Sequence, residues 1–121
     1  MLEVHVRNLG NVAILCVQGR IVRGETAPLR KAVYAQWGVS AVVLDLSRVS
    51  TIDAGGLGAM LELRELIQLR GIAFKIMNLT NLVSYLLEVT RLNSVFEVTS
   101  GTEIARALSP NWPAKELAQC A

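Results

Sequence analysis

The sequence predicts a single α/β domain with a mixed, mostly parallel sheet, an antiparallel N-terminal edge hairpin and about four helices. Three observations predict it. Apolar runs of strand length alternate with segments of helical period, recognisable caps and stops separate them, and no linker, repeat or low-complexity tract interrupts the pattern before residue 109. Strands alternating with helices imply right-handed crossovers and parallel pairing. The domain is expected to span residues 1–108, with 109–121 as a C-terminal extension.

The elements follow in order. Leu2 to Val6 alternates apolar and polar residues as a half-exposed strand does, and Asn8-Leu9-Gly10-Asn11 supplies a turn before the buried run Val12 to Val17. His5, between Val4 and Val6, reads as an outward strand residue. After a loop loosened by Gly19 and Gly24, Thr26-Ala27-Pro28 opens a helix running to about Gln36, with Thr26 as its cap and Gly38 as its stop. Residues 41–46 are apolar except for Asp45, the pattern of a central strand covered on both faces. A short polar turn then leads to the elbow Asp53-Ala54-Gly55-Gly56-Leu57-Gly58 and a helix ending at Gly71. At 100° per residue, Ala59, Met60, Leu63, Leu66 and Ile67 face the sheet, while Leu57 and Leu61 share an exposed stripe with Arg64 and Gln68. Ala73 to Met77 returns as a strand. Asn78 or Thr80 caps the next helix, a short strand covers Val95 to Val98, and a last helix runs from about Thr102 to Leu108. The tail holding Pro110, Trp112 and Pro113 is expected to leave the core as a loosely held extension.

Composition narrows the function. A chain of 121 residues that is 52% hydrophobic holds one core, and 12 basic against 10 acidic residues leave a net charge of +2 with no clustered basic footprint for nucleic acid. No segment approaches the roughly 18 apolar residues of a bilayer span, so a cytoplasmic protein is expected. Cys16 lies in a buried strand and Cys120 near the end of the sequence, which reads as a reduced compartment without a structural disulfide. Two cysteines and one histidine without paired spacing make no metal site. No cofactor is implied.

Catalytic patterns are missing as well. The lone histidine belongs to the first strand, the elbow lacks the hydroxyl of a Gly-x-Ser-x-Gly turn, and its glycines match neither Gly-x-Gly-x-x-Gly nor a phosphate-binding Gly-x-x-x-x-Gly-Lys-Ser/Thr loop. The chain is therefore not expected to be an enzyme. Asp53 is placed to cap the elbow helix, and Gly55 and Gly56 allow positive φ or close approach of another backbone.

The run from Val42 through Ile52 into Asp53-Ala54-Gly55-Gly56-Leu57-Gly58 resembles the signature of STAS domains, the anti-sigma-factor antagonist family, whose elbow usually reads Asp-Ser-Ser/Ala-Gly-Leu-Gly. Gly19-Arg20-Ile21-Val22 with Thr26-Ala27-Pro28-Leu29-Arg30 is similar to the family's Gly-Glu-Leu-Asp…Thr-Ala-Pro-x-Leu-Arg. Asn78-Leu79-Thr80 through Arg91-Leu92 is similar to its segment before Ser-Gly-Leu. The resemblance covers about Leu2 to Leu108. It implies a non-catalytic module that binds a protein partner, most often an anti-sigma factor with a kinase-type fold, and it places Ala54 at the position of the phosphorylated hydroxyl. Alanine accepts no phosphate. The family's acidic residues are replaced by Arg20 and Val22, and the glycine of Ser-Gly-Leu by Arg91, which makes the expected partner surface more basic.

The expected partner-binding residues are Asp53, Ala54, Gly55, Leu57, Leu61 and Arg64, with no phospho-acceptor at the family position; Ser50 or Thr51 is the displaced alternative. Two other readings stand beside this one. The first is a STAS scaffold or homo-oligomerising subunit of a stress-sensing or lipid-transport complex. The second is a small-molecule or nucleotide binder using the helix N-terminus.

Overall fold

The computed structural model describes residues 1–108, with side chains to Arg106. The order is β1 (Leu2–Leu9), β2 (Val12–Ile21), α1 (Ala27–Tyr34), β3 (Ala41–Ile52), α2 (Ala54–Leu69), β4 (Ala73–Met77), α3 (Asn81–Val89), a 3₁₀ turn (Leu92–Ser94), β5 (Glu97–Val98) and α4 (Gly101–Leu108). The strands lie side by side in chain order, with β1 antiparallel to β2 and every other pairing parallel. This is the α/β architecture that the alternation predicts. The extension from residue 109, with Pro110, Trp112 and Pro113, lies outside the described residues.

Each central strand buries both faces, which explains why residues 41–46 read as almost continuously apolar. On the inner face, Leu15, Val17, Val42, Leu44, Phe74 and Ile76 pack under α1, α2 and α3 through Leu29, Val33, Met60, Leu63, Ile67, Val83 and Leu87. On the outer face, Val12, Ile14, Cys16, Val43 and Met77 meet Ile104 and Ala105 of α4. Asp45 is the polar exception among the buried residues of β3, only 1% exposed. Its carboxylate accepts the Ser47 N–H at 2.9 Å and the Asn78 side-chain amide at 3.0 Å, so the buried charge is hydrogen-bonded. His5 is exposed on β1, as its alternation predicts.

Several expectations need correction. The polar segment after residue 46 is not a turn: β3 continues to Ile52 because β2 also continues past Val17, realigning through bulges to pair Gln18 with Arg48 and Ile21 with Ile52. Thr26 stands at the N-cap of α1 but in helical geometry and without a capping bond, its hydroxyl accepting from Arg30 Nε at 3.2 Å instead. Thr80, rather than Asn78, caps α3, its hydroxyl accepting the Val83 N–H at 3.2 Å. Leu66 is half-buried, outside the set that faces the sheet. Cys16 is disulfide-bonded rather than a reduced thiol. Arg91, at the position where the family carries glycine, adopts φ 61°. That is the left-handed region, where glycine alone is unpenalised.

Candidate functional site

The elbow is assembled where β2 and β3 end side by side. Beyond Ile52 the chain reaches Asp53 in extended geometry, the N-cap of α2. Its Oδ1 accepts the Gly56 N–H at 2.7 Å, satisfying one of the helix's orphan donors. Both of its carboxylate oxygens also lie 3.1 Å from the Arg23 N–H, in the loop that follows β2. The backbone N–H of Asp53 donates to the Ile21 carbonyl at 3.3 Å. One side chain thus starts α2 and fastens the 22–26 loop to it. The Gly56 and Arg23 N–H donors hold the Asp53 carboxyl below its ordinary pKa, since they stabilise the anion.

Two of the three elbow glycines are explained by crowding. A Cβ on Gly56 would sit 1.8 Å from the Ile21 carbonyl oxygen, and one on Gly55 would sit 2.6 Å from the Arg23 Cβ. Neither has a positive φ, so close approach, and not left-handed geometry, is the reason for glycine. Gly58 is different. A Cβ there would meet nothing within 4 Å among the described residues.

The structure sorts the expected site residues into three kinds. Asp53, Ala54 and Gly55 are exposed together at the mouth of the elbow. Leu61 and Arg64 are half-buried on α2, Leu61 with part of its side chain against the core. Leu57 is only 7% exposed and belongs to the core, which corrects the expectation of an exposed stripe through it. Val22 is likewise buried at 6%, so the basic character of this edge comes from the exposed Arg20 and Arg23 and not from position 22. Ser50 is a strand residue whose hydroxyl donates to the Gly19 carbonyl at 3.2 Å. Thr51 is half-buried one residue later.

Sequence reading passed over Arg23 and Gly58. Arg23 becomes part of the site only because the end of β2 aligns with the end of β3. Gly58 falls one helical turn after Ala54, on the same face as Leu61, a signal that the 3.6-residue period did contain. Behind this face the Arg30 guanidinium bonds Glu62 at 2.9 Å, joining α1 to α2, and that contact raises the Arg30 pKa. Among the described residues no three His, Cys, Asp or Glu side chains group as a metal site, and no helix is long and apolar enough to cross a membrane.

Comparison with known proteins agrees with this architecture. The STAS domain family model matches residues 3–106. An anti-sigma factor antagonist from Mycobacterium paratuberculosis has a similar structure, at a TM-score of 0.73 and 21% identity over 89% of this chain and 94% of that one. A putative anti-sigma factor antagonist from Thermotoga maritima superposes with a TM-score of 0.75 at 20% identity, over 87% of this chain and 93% of that one. The anti-sigma factor antagonist SpoIIAA, in its unphosphorylated form, gives 0.68 at 14% identity over 87% and 96%. At these identities the likenesses carry the fold alone. With the family model spanning nearly all described residues, and the elbow built as the sequence implies, the chain belongs to the STAS domain family.

Proposed function

We propose that the elbow is a docking surface for a protein partner, that the chain acts as an anti-sigma factor antagonist without catalysis of its own, and that Ala54 removes phosphate control from that surface. The observation that carries this reading is Ala54 itself: an exposed methyl at the first residue of α2, beside a carboxylate that already caps the helix. Asp53, Ala54, Gly55, Leu61 and Arg64 form the surface, with Arg20 and Arg23 along its edge and Leu57 supporting it from the core. Gly58 supports the same reading, since a helical glycine costs about 1 kcal/mol relative to alanine and no neighbour among the described residues requires it. A partner backbone approaching the Ala54–Leu61 face would require it.

A phosphate at position 54 would add about −1.5 to −2 charges beside a helix N-terminus, where the helix itself tolerates them. Its effect would fall on the partner, by repulsion and desolvation. Ala54 keeps the surface permanently in its unphosphorylated form. The resemblance to antagonists of anti-sigma factors supports a kinase-fold partner. Anion or nucleotide binding at this helix is disfavoured, because the Asp53 carboxylate already occupies the Gly56 N–H.

The test is capture from the native cell with the wild-type chain and with Ala54→Asp. A kinase-fold or sigma-pathway protein retained by the wild type and lost by the variant supports the proposal. Identical partner sets without such a protein refute it. The oligomeric alternative has one observation behind it, the exposed stripe Leu82, Tyr85 and Val89 on α3. Sedimentation at micromolar concentration decides it, self-association favouring the scaffold.

A further inference from the structure

The charges at the mouth of the elbow are unequally satisfied. Arg20, Arg23, Glu25 and Asp53 stand together where β2 ends and α2 begins. Both acids have partners. The Asp53 carboxylate accepts the Gly56 and Arg23 N–H groups, and Glu25 holds the amino group of Met1 at 3.0 Å. The two arginines are exposed, and among the described residues their guanidinium groups form no hydrogen bond or ion pair, Arg20 only attracting Glu25 from a distance. Arg23 is also held in place. Its N–H is bound by Asp53, the Glu25 N–H closes a turn around it onto the Val22 carbonyl at 3.0 Å, and its side chain starts across Gly55, where a Cβ would sit 2.6 Å from the Arg23 Cβ and 3.2 Å from its Cγ. An arginine placed in advance loses less freedom when its fork closes on a carboxylate. Arg64 and Glu65, about three turns further along α2, offset one another.

We propose, resting on the reading of the elbow as a docking surface, that the protein partner meets it with an acidic patch, one carboxylate of which takes the Arg23 guanidinium as a two-bonded fork with Arg20 beside it. Charge complementarity selects this occupant. The two guanidinium groups are left without an acid by their own domain, and a planar carboxylate is the group the fork fits. A fixed arginine at the centre of a contact is also the kind of residue on which binding energy concentrates. Nucleic acid fits less well. Two cations supply a small share of the roughly six to ten phosphate contacts of a strong binder, and the exposed Asp53 carboxylate between them repels a phosphate chain.

The experiment uses the whole chain as bait in a lysate of the native cell, as wild type, Arg23→Gln, Arg23→Lys and Ala54→Asp. Arg23→Gln keeps the backbone N–H that Asp53 binds, so its melting temperature is expected to be unchanged. It is expected to retain the wild-type partner at least about tenfold less, and wild-type retention is expected to fall about tenfold between about 0.05 M and 0.5 M salt. Arg23→Lys brings an amine to the same place. A carbodiimide is expected to join that amine to an Asp or Glu of the retained protein, read as a linked peptide by mass spectrometry. A protein retained equally by wild type and Arg23→Gln but lost by Ala54→Asp would leave the docking surface standing and overturn its acidic partner. Retention changed by neither variant would overturn both. A retained Arg23→Lys complex without a linked peptide would overturn the acidic contact, and a link to a second copy of this chain, or retention abolished by nuclease, would overturn the choice of partner.

Discussion

Asp53 does three things with one carboxylate: it caps α2, binds the Arg23 N–H and orders the surface beside Ala54. Its folded pKa lies below the ordinary value near 3.9, so its contribution to stability is complete above about pH 3.9 and fades as the pH falls through the folded value. Asp53→Asn is expected to lower the melting temperature at pH 7 and to flatten the dependence of melting temperature on pH below about 4. An unchanged acid profile, followed by circular dichroism, would show that the carboxylate does not hold the elbow. The glycines give a sharper contrast. Gly56→Ala forces a methyl against the Ile21 carbonyl and is expected to cost about 1–3 kcal/mol, whereas Gly58→Ala meets nothing and is expected to stabilise the domain by up to about 1 kcal/mol while weakening partner binding. Urea denaturation of the two variants checks both signs.

At the scale of the element, α2 carries a core face and a proposed docking face, and Leu57 and Leu61 divide between them. Leu57→Ala is expected to destabilise by about 2–5 kcal/mol, as a buried leucine does. Leu61→Arg is expected to cost under about 1 kcal/mol, because the half-buried site lets the longer chain reach water, yet to abolish partner capture. The reverse pattern in denaturant titrations would exchange their roles. These two positions also show what a sequence can tell. The 100° count places Met60, Leu63 and Ile67 correctly because they lie at the centre of the buried arc, and it misplaces Leu57 and Leu66 because positions at the edge of the arc are decided by what packs beside them. Leu57 is covered because the elbow sits tightly on the end of β2. The polar stretch Ser47 to Thr51 reads as a turn for a similar reason: its strand character comes from pairing with a neighbour displaced by bulges, which no local pattern encodes. Asp53, whose cap depends only on a residue three positions ahead, was legible directly, and Thr80 was one of the two caps that the sequence offered for α3.

Across the whole molecule, the sheet order brings together two motifs thirty residues apart, the Arg20–Arg23 segment where β2 ends and the Asp53–Gly55 elbow. The opposite, outer face carries α4 and Cys16. The central proposal is that the edge around Asp53–Gly55 docks a partner and cannot be phosphorylated at position 54. The most direct measurement is the affinity of the captured partner for the wild-type chain and for Ala54→Asp, by calorimetry, with melting temperatures recorded alongside. The account predicts at least about a hundredfold weaker binding by the variant, roughly 2.7 kcal/mol, at an unchanged melting temperature. Equal affinities of two equally stable proteins would contradict it.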